Sequence, residues 1–180
     1  ESRVLRMLDY KAQPFELKVS GTNGSRTGEK VYHLSPAADA SVAKTYAEFA
    51  AGSGVYLSTG DSAQTDLPDH TVDVVLTDPP FFDNVHYSQL ADFFHVWLKR
   101  MIADPGAMAS TTRSLREVQD TDAALFGDKL RAVWQECRRV LKPDGLLVFT
   151  YHHSRPDGWS ALYQSVRQAG FQIVRTHPVK

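Results

Sequence analysis

Residues 71–84 read TVDVVLTDPPFFDN. Val72, Val74, Val75 and Leu76 make a nearly unbroken β-prone run, the pattern of a strand covered on both faces in a parallel sheet. The run stops at Asp78-Pro79-Pro80, because neither proline can donate to a strand ladder. Upstream, residues 55–59 predict a short strand ended by Gly60-Asp61. Before it, Ser35-Pro36 supplies a cap and a first-turn proline. Ala38, Val42, Tyr46, Phe49 and Ala50 recur at three-to-four spacing, so a helix is expected to run to Ala51 and stop at Gly52-Ser53-Gly54. Residues 15–19 and 30–34 predict a hairpin around a Gly-, Ser-, Thr- and Asn-rich connection. Downstream, an aromatic helix over 87–102 turns Leu90, Phe93, Phe94, Trp97, Met101 and Ile102 inward. Asp104-Pro105-Gly106 breaks it, and residues 110–120 read as a surface loop. A second helix over 123–141 carries Leu130, Val133, Trp134, Cys137, Val140 and Leu141 on one stripe. Lys142-Pro143-Asp144-Gly145 turns the chain into a strand over 146–151. Asp157 then caps a helix closed by Gly170, and residues 171–177 are the last strand. Strand, helix, strand, helix, strand in this order means an α/β fold with an open sheet and parallel neighbours.

The composition agrees with a soluble globular domain. The chain has 180 residues, 42% hydrophobic and 23% charged, enough apolar surface to exclude disorder of the whole. The longest apolar runs, 72–76 and 146–149, are too short to cross a bilayer, so no membrane partner is expected. No secretory leader opens the chain, and a single cysteine cannot staple a fold. A cytoplasmic location is expected. The net charge of −1 raises no global field for nucleic acid.

Ligands of open α/β sheets bind beyond the carboxyl ends of the strands. Three such ends carry polar or aromatic groups: Gly60-Asp61-Ser62, Asp78-Pro79-Pro80-Phe81, and Tyr151-His152-His153. In the second, the prolines stiffen the backbone between a carboxylate and an aromatic ring. A planar heterocycle with an exocyclic amino group satisfies that set, its NH2 meeting the Asp78 carboxylate and the Pro79 carbonyl and its ring lying on Phe81. The plainer reading is a strand-ending turn with Phe81 in the core. Asp61 is equally readable as a turn acid. His152 and His153, adjacent on a strand, point to opposite faces and lack a third ligand, so no metal is expected. Cys137 reads as core. Lys99, Arg100, Arg113 and Arg116 could meet phosphates or simply solvate the surface.

Residues 77–100, TDPPFFDNVHYSQLADFFHVWLKR, resemble the strand-four region of the amino-group DNA methyltransferases. Within these they look most like large prokaryotic proteins described as adenine-specific DNA methylases. The stretches LKPDGLLVFTYHH, 141–153, and DGWSALYQSVRQAGF, 157–171, look similar to the same family, and the likeness runs over about residues 60–179. The resemblance implies a partial class I (Rossmann-like) methyltransferase sheet with helices on both faces over 55–180, preceded by a hairpin and helix segment over 1–54. It implies methyl transfer from S-adenosylmethionine to N6 of adenine, or less readily N4 of cytosine, in double-stranded DNA with the target base extruded. Asp78, Pro79, Pro80 and Phe81 would then be the catalytic set. The family more often has tyrosine at the Phe81 position. Asp61 matches the acid that meets the cofactor's adenine, with Ser62 beside that ring.

The chain also departs from the family. It has no glycine-rich loop after a first strand and no acid after a second. The expectation is therefore a C-terminal portion of a longer protein, with weak or absent cofactor binding by these residues alone. A gap in the sheet would leave a strand edge open to self-association. Two other readings stand beside the first. One is an RNA guanine-N2 methyltransferase, because Asp-Pro-Pro-Phe also occurs in such enzymes. The other is a non-catalytic nucleic-acid-binding or assembly domain that keeps the base pocket without the donor site.

Overall fold

The computed structural model describes residues 2–20, 27–32, 41–52, 54–102 and 109–178. The chain divides into two compact units, Glu1–Ser58 and Thr59–Lys180.

The first unit opens with a helix that the sequence pattern did not announce, α1 (Ser2–Ala12). The expected hairpin follows as β1 (Phe15–Ser20) and β2 (Thr27–Tyr32), antiparallel from Phe15↔Tyr32 to Ser20↔Thr27. Phe15 anchors its open end, with Tyr10 at 5.3 Å, Tyr32 at 5.7 Å and the Lys30 ammonium 4.3 Å above its ring. The helix expected from Ser35-Pro36 differs. Those two residues lie outside the described ones, and Val42 belongs to a two-residue strand, β3 (Val42–Ala43). Helix α2 (Tyr46–Ala51) starts instead at Thr45, whose side chain accepts from Glu48 N–H at 3.2 Å while Glu48 reaches back to Lys44 N–H at 2.9 Å. A threonine with a glutamate three residues on is the stronger start signal, because two otherwise unpaired amides are satisfied together. The strand expected over 55–59 shrinks to β4 (Val55–Tyr56), paired in parallel with β3 inside this unit rather than beside the next strand.

The second unit is built on β5 (Val72–Thr77) and β6 (Leu141–Phe149), which run parallel and pair from Val72↔Leu141 to Thr77↔Phe149. Lys142-Pro143-Asp144-Gly145 falls where the register jumps between Val72 and Val74, so the turn signal survives as an irregularity within β6. Between the strands come α3 (Tyr87–Met101) and α4 (Ala123–Val140), and after β6 comes α5 (Pro156–Gln168). Residues 171–177 form no strand. Phe171 donates its N–H to Val166 O at 3.2 Å and packs on the core, while Val174 stays 84% exposed. The described residues thus combine helix and strand in three two-stranded sheets, two of them parallel, rather than in one open sheet.

Helices α4 and α5 make the core. Phe126, Leu130 and Trp134, at four-residue spacing, meet Ala161, Leu162 and Val166, with Phe82 joining from beyond β5. Trp134 is fully buried, and its indole N–H donates to Ser165 Oγ at 3.1 Å, so the one polar atom of the ring is satisfied inside the core. Gly170 ends α5 with φ +89°, where a side chain would also strike Arg138. Leu147 and Phe149 pack on this core, whereas Val74, Leu76, Leu146 and Val148 on the opposite face of the pair are exposed. Coverage is one-sided, against the expectation from the apolar run. The expected inner side of α3 is likewise exposed at Leu90, Phe93, Phe94, Trp97, Met101 and Ile102.

Candidate functional site: the turn beyond β5

Because β5 and β6 are parallel and Thr77 faces Phe149, the residues that follow each strand meet. Thr150 N–H donates to Thr77 O at 3.3 Å, and the Thr150 hydroxyl donates to Asp78 Oδ1. Asp78 is exposed, Pro79 is buried, and Pro80 and Phe81 are half-buried. No described residue donates to the Pro79 carbonyl. Phe81 meets Tyr151 edge to face at 5.5 Å, and Tyr151 meets Trp159 in the same manner at 5.0 Å.

The turn closes through Asn84 N–H to Phe81 O at 3.1 Å, with Phe82 at φ +54°. A bulky side chain in that region costs energy, and burial of the ring offsets it. Phe82 is 1% exposed, lies 5.4 Å from both Phe126 and the His153 ring, and has the Arg155 guanidinium 5.2 Å above it. Asp83 then turns back towards the segment after β6. Its oxygens meet His153 Nε2 at 3.1 Å and Arg155 Nη2 at 2.6 Å. Nε2 faces a carboxylate, which only accepts, and so donates to it, while Nδ1 lies 3.1 Å from Arg155 N and 3.2 Å from Arg155 O. Burial pushes the Asp83 carboxyl up, but the His153 hydrogen bond and the Arg155 charge outweigh it and hold it below its usual range. His153 is buried and His152 exposed, so the pair is split. His153 is closed further by Trp159 Nε1–H, which donates to its carbonyl at 2.9 Å. The Tyr151 phenol donates to Gly158 O at 3.1 Å; burial, then the charges of Asp157 and Asp83, push its pKa up to about 12, so it stays a neutral donor.

Asp78 and Phe81 are therefore joined to Thr150 and Tyr151 respectively, with the buried Pro79 and half-buried Pro80 between them. Asp61 and Ser62 are not joined to it by any hydrogen bond or ring contact among the described residues. The Asp61 carboxylate accepts from Ala63 N–H at 2.9 Å and from Arg116 Nη1 at 3.2 Å, and Ser62 lies exposed in the same turn. Both oxygens of Asp61 are thus engaged within the chain. Nor does a glycine-rich loop follow β4, the strand nearest in sequence. The described residues do not fit a cradle for S-adenosylmethionine.

The basic residues flanking the turn are partly spoken for. Arg113 pairs with Asp92 at 3.2 Å and Arg116 with Asp61, while Lys99 donates to Ala109 O at 3.4 Å and Arg100 is exposed. The Cys137 thiol is half-buried, and burial first, then Glu136, pushes it up to about 11, the opposite of an activated nucleophile. Sequence reasoning missed Thr150, Asp83 and Arg155. Asp83 stood in the quoted motif. Thr150 becomes legible only once the β5–β6 register is known, because its role is set by the residue across the ladder. No family model matches the chain, and neither a curated protein nor a solved structure matches it.

Proposed function

We propose that this chain grips the amino-bearing edge of an extruded nucleobase, adenine in DNA first, in the service of S-adenosylmethionine-dependent amino-methylation. One observation carries the reading: an exposed carboxylate, Asp78, beyond the carboxyl end of β5, with one oxygen engaged by Thr150 and an aromatic ring, Phe81, three residues on. An exocyclic amino group needs an acceptor at a fixed place, and a base needs a flat apolar surface. The Pro79 carbonyl, to which no described residue donates, is the second acceptor in this reading. The parallel pair with its polar turn at the carboxyl end supports taking β5 and β6 as two strands of a Rossmann-like methyltransferase sheet. Since the described residues build no donor cradle, no transfer step is assigned to them.

The test is equilibrium binding of the full chain to duplexes carrying adenine, or purine without the amino group, opposite an abasic site. Adenine is expected to bind about tenfold tighter, the worth of one charge-assisted hydrogen bond, and Asp78→Asn to abolish the difference. Equal affinity for the two duplexes defeats the reading. Offering DNA and ribosomal RNA side by side with labelled donor separates the adenine from the guanine alternative.

The Asp61–Arg116 ion pair favours a second reading, a base-binding domain that performs no transfer itself. Incorporation of label by the full chain would exclude it.

A further inference from the structure

The turn beyond β5 is tied to the segment beyond β6 at both of its ends, and the two ties differ in kind. At the far end, Asp83 is held by His153 and Arg155, a bonded set in which the His153 side chain is 1% exposed. That end is a fixed post. At the near end, the single side-chain tie of Asp78 among the described residues is the Thr150 hydroxyl on its Oδ1, at the surface. A carboxylate at the end of a free side chain turns about χ2, which is broad for aspartate. A donor fixed on the neighbouring strand removes that freedom and commits one oxygen, leaving the other for an incoming donor. Thr150 is itself fixed by its backbone bond to Thr77 O at 3.3 Å, so the hydroxyl is placed by the sheet.

We infer that Thr150 is the positioning residue of the base grip: it orients Asp78 so that Oδ1 is occupied and Oδ2 is presented to the amino group. The inference rests on the reading of Asp78 given above and adds a residue to it. Thr150 touches no base in this scheme. Its effect runs through Asp78, and a hydroxyl rather than side-chain bulk is what it contributes.

The full chain, labelled with 13C at aspartate carboxyls, is compared with Thr150→Val and Thr150→Ser, Asp78→Asn serving to assign the Asp78 signal. The valine variant keeps the shape and removes the donor; the serine variant restores the donor. Thr150 is exposed, so both are expected to melt like the parent. The inference expects the Asp78 carboxyl resonance to move in Thr150→Val and to return in Thr150→Ser. It expects affinity for the adenine-bearing duplex to fall about tenfold in the first and recover in the second. An Asp78 resonance indifferent to Thr150→Val overturns it. So does a moved resonance with undiminished adenine binding, which leaves the reading of Asp78 intact. A parent chain that ignores adenine while the resonance still follows Thr150 overturns the base-grip reading and upholds Thr150 as the residue that orients Asp78.

Discussion

Phe81 is half-buried because Tyr151 meets it edge to face at 5.5 Å, so the ring is held by a neighbour in the same unit. A held ring loses little freedom when a base arrives, which is what a stacking plate requires. Phe81→Tyr keeps the plate and is expected to bind the adenine duplex like the parent. Phe81→Ala is expected to weaken binding by about 1–3 kcal/mol, roughly ten- to a hundredfold, in fluorescence anisotropy. A second residue tests the scaffold alone. A Cβ on Gly158 would lie 2.7 Å from His153 Nδ1 and 3.1 Å from the Tyr151 hydroxyl. The groups around it are buried and bonded, so Gly158→Ala is expected to cost about 1–3 kcal/mol of stability in urea unfolding. A neutral result there would mean that the His153 corner yields easily and cannot act as a post for Asp83.

At the scale of elements, the tie between α4 and the turn before β5 has a definite pH signature. Glu136 is buried in α4 and accepts from Arg139, from Thr65 N–H at 2.8 Å and from Thr65 Oγ1 at 2.7 Å, while Arg139 also reaches Asp69. The Arg139 hydrogen bond, acting first, and the Thr65 donors bring its carboxyl down from 4.5 to about 2 despite burial. A lowered folded-state pKa means stability that is full above the unfolded value and fades as pH falls from about 4.5 through about 2. Glu136→Gln is expected to lose about 1–3 kcal/mol near neutrality and to flatten that acid-side fall, read from urea midpoints at several pH values. A parent curve no steeper than the variant's would remove Glu136 from the account. The same elements show what was legible in the sequence. Helices α3, α4 and α5 and strand β5 were readable because their periodicity or apolar run is internal to each segment. Val42 and residues 55–59 were misassigned because a two-residue bridge such as β3–β4 is decided by its partner, not by its own pattern. Residues 171–177 have the composition of a strand, but Phe171 spends its ring on the α4–α5 core and no described ladder receives the rest. The motif at 78–81 was legible as a turn with chemistry, while its supports at Thr150 and Asp83 depended on the register between strands 70 residues apart in sequence order, as the His153–Asp83 separation illustrates.

For the molecule as a whole, charge decides how nucleic acid would be met. The chain carries 20 Lys and Arg against 21 Asp and Glu, and two of the basic residues, Arg113 and Arg116, are already paired with Asp92 and Asp61. Asp92 is firmly ionised, held at about 2 by the Thr112 backbone and the Thr112 and Thr111 hydroxyls, so its charge faces Arg113 at any ordinary pH. On the proposed reading, affinity would then come from the base grip more than from phosphates. Because each phosphate neutralised adds roughly 0.9 to the slope of log affinity against log salt, the slope for the adenine duplex is expected to be shallow, about −2 or less in magnitude. Calorimetry with S-adenosylmethionine is expected to give no saturable heat up to about 1 mM, since a weaker complex than that gains barely 4 kcal/mol and Asp61 has no free oxygen to offer. Disrupting the pair with Arg116→Ala separates two causes. If the Asp61–Arg116 pair alone withholds the acid, the variant gains donor binding. If the site needs a cradle that these residues do not build, the variant stays silent, and its salt slope is unchanged because Arg116 was not meeting phosphate. A steep slope in the parent, beyond about −4, would instead reveal a phosphate-binding face and move the weight of recognition from the base to the backbone.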